Sequence, residues 1–119
     1  MTNIHRFMLD LNEQTTMEYV SVRKSEVGQQ IRVTLRAGGK PFDVSGVSVA
    51  ILSIKLPNGS RINITGTKDG SELVADLTSA ATAAVGELKC CFNLIGTDGN
   101  VLTSPPFTII VNEPASALN

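Results

Sequence analysis

The strongest constraint on this chain is a two-residue alternation of apolar and polar side chains in short, separate segments. The alternation is clearest in QQIRVTLR, where Ile31, Val33 and Leu35 alternate with polar residues. Successive side chains of a β-strand point to opposite faces, so this pattern predicts a strand with one buried face and one solvent-exposed face. The chain is therefore expected to consist of β-strands.

Several other segments show the same alternation and are predicted to be strands. Their inward-facing residues are expected to be Phe7, Leu9 and Leu11; Ile62 and Ile64; Leu73, Ala75 and Leu77; Leu88, Cys90, Phe92 and Leu94; and Phe107, Ile109 and Val111. MEYVSVR adds a less regular extended segment. VSVAILSIKL is apolar on both faces, which suits a well-covered strand, although the pattern by itself also fits a helix. We favour a strand because Val47, Val49 and Ile51 are β-branched.

Turn signals separate these segments. Three dipeptides readily take positive φ and each predicts a tight connection between antiparallel strands. They are Asn58-Gly59, Asp69-Gly70 and Asp98-Gly99. LTSAATAAVGE breaks the strand pattern, because Thr78 or Ser79 can cap a turn of helix and Gly86 can close it. We expect one short helical turn there, at a crossing between two sheets.

About seven to nine short strands with regularly spaced turns predict an all-β, immunoglobulin-like antiparallel β-sandwich. A chain of 119 residues with 42% hydrophobic content can build one modest core, so residues 1–113 are expected to form a single domain. Residues 114–119 are polar and are expected to be a flexible tail or the start of a linker. An antibody-type domain is not predicted, because the chain has no tryptophan and its only tyrosine, Tyr19, comes early.

The charge balance disfavours two classes of partner. Ten basic and eleven acidic residues give a formal net charge of -1, so neither nucleic-acid binding nor coating of an anionic membrane is expected. The beginning of the sequence, MTNIHRFMLDLNEQ, has no apolar run of signal-peptide length, and no stretch approaches the roughly 20 apolar residues of a spanning helix. We expect a soluble protein, made without export and not inserted in a membrane.

The residues that most often carry chemistry are sparse. Cys90 and Cys91 are adjacent, so in a strand they would point to opposite faces and could form a disulfide only with strain. A redox or metal pair would need further ligands, and the only histidine, His5, is far away in the sequence. Cys90 is expected to be a small buried residue.

Other motifs are explained by turns. Gly38-Gly39-Lys40 lacks the spacing of a phosphate loop and is followed by Pro41, so it predicts a β-turn. Four carboxylates lie near turns, where they usually accept hydrogen bonds from local backbone, and they form no calcium-loop pattern. These carboxylates are Asp43, Asp69, Asp76 and Asp98. We therefore assign no catalytic, cofactor-binding or metal-binding residue, and we expect neither enzyme activity nor a cofactor.

The basic residues form loose pairs along the sequence. The pairs are Arg23 with Lys24, Arg32 with Arg36, and Lys55 with Arg61. Nearby Glu18, Glu26 and Asp43 would dilute a basic patch, and solvated strand faces ordinarily carry such charges. Contact with a partner is expected to use edge-strand pairing or an apolar patch, and the interaction residues stay unassigned.

The order of segments resembles a known family. IHRFMLDLNEQ, then IRVTLRAGGKPFDVSGVSVAILSIKLPNGS, then GELKCCFNLIGTDGNVLTSPPFTIIVN resemble the N-terminal domain of phage baseplate upper proteins over nearly the whole chain. The sequence departs from the family at SEVGQQ, where a Gly-Asp-like turn is expected, and at its end, where relatives commonly continue into a stalk.

The resemblance implies an immunoglobulin-like structural protein of a phage or prophage tail baseplate, made in the bacterial cytoplasm and found in the virion. It would anchor host-recognition parts, with other baseplate or tail proteins as partners. A homo-oligomer, trimeric or larger, would suit such a building block.

Two other classes of function remain open from the residues. A bacterial cell-surface or carbohydrate-binding β-sandwich would share the strands, but such modules usually carry an export signal and exposed aromatic residues, and aromatics are only 4% here. A small enzyme would need clustered polar groups with perturbed pKa values, and the sequence nominates none.

Overall fold

The computed structural model describes residues 3–13 and 18–113, and this part of the chain folds into β-strands joined by turns. The strands are β1 (Asn3–Asp10), β2 (Tyr19–Arg23), β3 (Gln29–Ala37), β4 (Lys40–Pro41), β5 (Val47–Lys55), β6 (Arg61–Asp69), β7 (Glu72–Asp76), β8 (Gly86–Gly96), β9 (Val101–Thr103) and β10 (Phe107–Asn112). The predicted all-β sandwich is confirmed. VSVAILSIKL is the strand β5, as its β-branched residues favoured.

The strands form a continuous path that folds over into two layers at β6. The first layer, sheet A, contains β1, β3, β7 and the end of β6, with the short β4 beside β3. The second layer, sheet B, contains the start of β6, then β5, β8, β10 and β2, with β9 beside β8. Most neighbours are antiparallel, but β1 runs parallel to β3 and β2 runs parallel to β10.

The predicted inward-facing residues meet between the two sheets and form the core. Ile31, Val33 and Leu35 are almost completely buried, as the alternation in β3 predicted. Phe7 of sheet A meets Phe107 of sheet B edge to face, with ring centroids 4.9 Å apart. Burial of such apolar side chains is the main stabilising contribution to a small sandwich, so this shared core holds the sheets together.

β6 belongs to both sheets, and Gly66 lies where it changes partner. Residues 61–66 pair with β5, whereas residues 67–69 pair with β7. A Cβ atom at Gly66 would lie 2.6 Å from the carbonyl oxygen of Val74 and 3.1 Å from that of Ala50. Because real Cβ atoms do not approach backbone oxygens this closely, only glycine permits the crossing.

The predicted tight turns are confirmed. Gly59, Gly70 and Gly99 have φ values of 90°, 63° and 86°, and they connect β5 to β6, β6 to β7 and β8 to β9. Glycine takes these conformations without steric cost, which is why these dipeptides predict the turns.

The predicted helical turn at residues 78–86 was wrong. The N–H of Ala81 donates to the carbonyl of Thr78 at 3.0 Å, which closes a single β-turn. The next residue, Thr82, is buried, and its carbonyl accepts a hydrogen bond from the N–H of Ser25 at 2.9 Å. The segment thus satisfies its backbone groups against a distant loop, which local helix propensity does not reveal.

The predicted tail, 114–119, lies outside the described residues. In the part of the chain that the structure describes, no helix is long and apolar enough to cross a membrane.

Candidate interaction surfaces

Cys90 and Cys91 lie on opposite faces of β8. Both thiols are free; Cys90 is buried in the core, and Cys91 is half-buried on the outer face of sheet B. Burial raises the pKa of the Cys90 thiol to about 12. Burial also raises the pKa of Cys91, and the positive charge of nearby Arg61 opposes this shift. Cys90 is therefore a core residue, and the two sulfurs do not act as a pair.

His5 belongs to a polar hollow near the start of β1 and the end of β2. Its Nε2 lies 2.7 Å from Oε1 of the buried Gln29, and Nε2 of Gln29 donates to Glu26 at 3.2 Å. The hollow measures about 440 Å³ and is also lined by Arg23 and Asn112. Within residues 3–13 and 18–113, no three His, Cys, Asp or Glu side chains come together to hold a metal ion.

The four carboxylates that the sequence placed near turns are separated in space and bond to nearby groups. Asp43 accepts from the N–H of Ser45 (2.9 Å), Asp98 from the N–H of Asn100 (3.0 Å), Asp76 from the side chain of Gln30 (2.8 Å) and Asp69 from Arg32 (2.7 Å). The backbone bond from Ser45 lowers the pKa of Asp43. These carboxylates stabilise turns and ion pairs.

Asp10 closes the predicted turn at Gly38-Gly39. Its two carboxylate oxygens accept hydrogen bonds from the N–H groups of Asn12 (2.9 Å), Gly38 (3.0 Å) and Gly39 (2.8 Å). The bonds from Asn12, Gly39 and Gly38 hold the pKa of Asp10 below its ordinary value. The N–H groups of this glycine turn thus bind a carboxylate of the protein itself.

The outer face of sheet A carries charges that pair with one another. Nη1 of Arg32 lies 2.7 Å from Asp69 and 3.2 Å from Glu72, and Glu72 also accepts from Arg6 at 3.2 Å. Only 16% of the Arg32 side chain is exposed. The hydrogen bond to Asp69 raises the pKa of Arg32, with a smaller contribution from Glu72. Arg6, Arg32, Asp69 and Glu72 are thus paired with one another on this face.

The outer face of sheet B carries a row of cross-strand neighbours. Arg61 of β6 lies opposite Lys55 of β5, and Lys55 lies opposite Lys89 of β8. We call Arg61, Lys55 and Lys89 the cation row. The same row continues through Thr108 of β10 to Tyr19 of β2, which is 65% exposed.

The cation row is only partly neutralised. Lys89 lies 3.2 Å from Glu87, and both of these side chains are well exposed. Lys55 and Arg61 form no ion pair with any residue in 3–13 or 18–113. Since like charges directly opposite one another destabilise a sheet, this arrangement costs the isolated fold stability.

Hydrogen-bonding side chains lie beside the cation row. Asn63, Ser53 and Cys91 form the next row across the strands, and they help to line a hollow of about 430 Å³. The amide of Asn93 donates to Ser53 at 2.7 Å and accepts from the hydroxyl of Thr103 at 2.9 Å. This part of the face offers polar groups in a fixed network.

The far end of the same face is apolar. Val49, Ile95 and Val101 are cross-strand neighbours on β5, β8 and β9, and Val101 is 66% exposed. On the other side of β9, Leu102 and Phe42 line a hollow of about 230 Å³. Because β9 pairs with β8 along one side, its apolar residues lie at an edge of sheet B.

Sequence reasoning named Lys55 and Arg61 as a loose pair but missed Lys89. The predicted inward-facing residues of β8, from Leu88 to Leu94, leave Lys89, Cys91 and Asn93 on the outer face, which the structure confirms. The missing information was the register between β5 and β8, which joins residues that are far apart in the sequence. The sequence carries no local signal for that register.

Comparison with known proteins identifies the fold. No protein-family model and no curated protein matches this sequence. The N-terminal domain of phage TP901-1 ORF48 has a similar structure, with a TM-score of 0.74, 19% sequence identity, and coverage of 95% of this chain and 100% of that chain. CopC from Methylosinus trichosporium OB3b matches with a TM-score of 0.48 and 20% identity, over 81% of this chain and 87% of that chain. The first likeness shows a shared β-sandwich fold, and the second is too weak to support an argument.

Proposed function

We propose that this chain is a structural component of a phage or prophage tail baseplate, where it anchors host-recognition parts and catalyses no reaction. The observation that carries this proposal is the fold. The N-terminal domain of phage TP901-1 ORF48 matches over its entire length and over 95% of this chain. The resemblance of the sequence segments to phage baseplate upper proteins, in their order along the chain, supports the same role.

The surfaces support a role in protein contacts. The outer face of sheet B combines charged, polar and apolar rows, and the exposed aromatic Tyr19 lies at its edge. Such mixtures are typical of protein interfaces. The proposal includes other tail proteins as partners and a location in the virion after synthesis in the bacterial cytoplasm. It also includes a domain over residues 1–113, followed by a flexible tail or the start of a linker at 114–119.

The location of the protein tests the proposal directly. An antibody against the chain is applied to tailed particles released from the bacterium that encodes it, and bound antibody is located by immunogold electron microscopy. We expect label at the tail tip, and we expect deletion of the coding sequence to give tails that lack the host-recognition parts. Antigen confined to the cell envelope would contradict the proposal and favour a bacterial adhesion or carbohydrate-binding module.

Self-association is a separate part of the proposal. We expect light scattering coupled to size exclusion to show a trimer or larger ring over a range of concentrations. A strict monomer would contradict self-association and leave two options, a module that assembles only through a partner or stalk and a surface-binding module, which a pull-down against tail proteins would separate.

A further inference from the structure

We propose that the cation row binds an acidic segment of a partner protein, with Thr108 and Tyr19 extending the contact along the same row. The inference rests on the geometry of sheet B alone. It therefore stands whether or not the chain is a tail component, and it names the chemistry of the partner.

The first argument is the unbalanced charge. Arg61, Lys55 and Lys89 lie on three adjacent strands in direct cross-strand register. Glu87 pairs with Lys89 at the end of this row, and neither Lys55 nor Arg61 has an anionic partner in the described chain. An arrangement that destabilises the isolated sheet is relieved when carboxylates of a partner lie between the cations.

The second argument is the shape of the surface. Neighbouring strands are about 4.8 Å apart, so the row from Arg61 to Tyr19 spans five strands and about 19 Å. About six residues of extended chain cover this distance. A segment of that length can place carboxylates over the cations while its end contacts the exposed ring of Tyr19.

The third argument separates an acidic protein segment from a nucleic acid. The net charge of the chain is -1, so the cation row is a local feature and no wider positive field surrounds it. The row beside it is polar at Ser53 and Asn63, and the far end of the same face is apolar at Val49 and Ile95. A face that combines charged, hydrogen-bonding and apolar groups suits a protein partner.

Binding of a labelled hexaglutamate peptide tests the inference by fluorescence anisotropy at low ionic strength. Hexaglutamine is the uncharged control peptide, and an oligothymidylate of equal charge represents a polyphosphate. The test variant is Lys55→Gln with Arg61→Gln, which leaves the Lys89 and Glu87 pair in place. The matched control is Lys24→Gln with Lys40→Gln, which removes two exposed cations elsewhere and changes the net charge equally.

We expect hexaglutamate to bind the natural chain and the control variant alike, and to bind the test variant at least about fivefold more weakly. Thermal melting of the test variant is expected to match or exceed that of the natural chain, because a repulsion has been removed. Equal peptide affinity for both variants, no binding to the natural chain, or a less stable test variant would overturn the inference. Tighter binding of oligothymidylate than of hexaglutamate through the same two residues would overturn the choice of a protein partner.

Discussion

On the outer face of sheet A, Arg32 lies between Asp69 and Glu72, whereas on the outer face of sheet B, Lys55 lies between Arg61 and Lys89. Both faces belong to the same sandwich and cover the same core. Both sheets place like charges opposite one another, since Arg6 lies opposite Arg32 in sheet A, but Glu72 pairs with both of those arginines. Within the described residues, no carboxylate pairs with Lys55 or Arg61 of sheet B. The ion pairs of sheet A stabilise the isolated fold, whereas the facing cations of sheet B are the feature that the proposed acidic partner would neutralise.

The largest expected change in stability comes from a substitution in β6, the strand that joins the two sheets. Gly66→Ala should lower the free energy of unfolding by about 2–3 kcal/mol, because the new Cβ would collide with backbone carbonyl oxygens of both neighbouring strands. Urea unfolding followed by circular dichroism measures this change. Gly46→Ala is the control, since no atom beyond its two chain neighbours lies within 4 Å of the position that its Cβ would take and its φ is not positive. Equal loss in both variants would show that the crossing is not a special constraint.

Removal of the ion pairs of sheet A is expected to give the next largest loss of stability. Arg32→Gln should lower the melting temperature by several degrees, because it leaves Asp69 and Glu72 without their shared cation. Differential scanning calorimetry at low ionic strength measures the change. No loss would show that these pairs contribute nothing, and the contrast between the two faces would then fail.

Replacement of a cation in the cation row should raise the melting temperature, in contrast to the loss of Arg32 from sheet A. Lys55→Glu places a carboxylate between Arg61 and Lys89, so the melting temperature should rise by about 2–4 °C. The same calorimetry applies, and the gain should shrink as added salt screens the charges. A decrease in melting temperature would mean that Lys55 is satisfied in the natural chain.

The carboxylate of Asp10, at the end of sheet A, is expected to make a smaller contribution to stability that depends on pH. Because its folded pKa lies below its unfolded value, Asp10 stabilises the fold above pH of about 4, and this contribution is lost as the pH falls through the folded pKa. Asp10→Asn should therefore be less stable than the natural chain at neutral pH, and the gap should narrow in acid. Urea unfolding over a series of pH values measures the gap. A gap that does not change with pH would contradict this account.

Cys90 and Cys91 lie on the inner and outer faces of β8, so the reactivity of each thiol reports on the exposure of its face. Iodoacetamide should modify Cys91 in the folded protein and Cys90 only after unfolding, because burial raises the Cys90 pKa to about 12. Mass spectrometry of Cys90→Ala and Cys91→Ser variants identifies the modified site. Equal reaction of both thiols in the folded state would show that β8 opens readily.

The amino-acid sequence was enough to predict where most of the strands lie, which residues point inward and where the tight turns fall. Ile31, Val33 and Leu35 in β3 and Phe107, Ile109 and Val111 in β10 illustrate this, since all are buried as their alternation predicted. These features depend on the backbone period and on the φ preferences of single residues. Both are local properties, and a local pattern is sufficient to predict them.

The folded arrangement was needed to reveal the parallel pairing of β1 with β3 and of β2 with β10, the crossing at Gly66 and the turn in place of a helix at 78–86. It also decided the cation row, which joins Lys55 and Arg61 to the distant Lys89. Alternation sets the face of each side chain but not the neighbour of each strand. That neighbour is fixed by how two layers close around one core, and this depends on contacts between residues far apart in the chain.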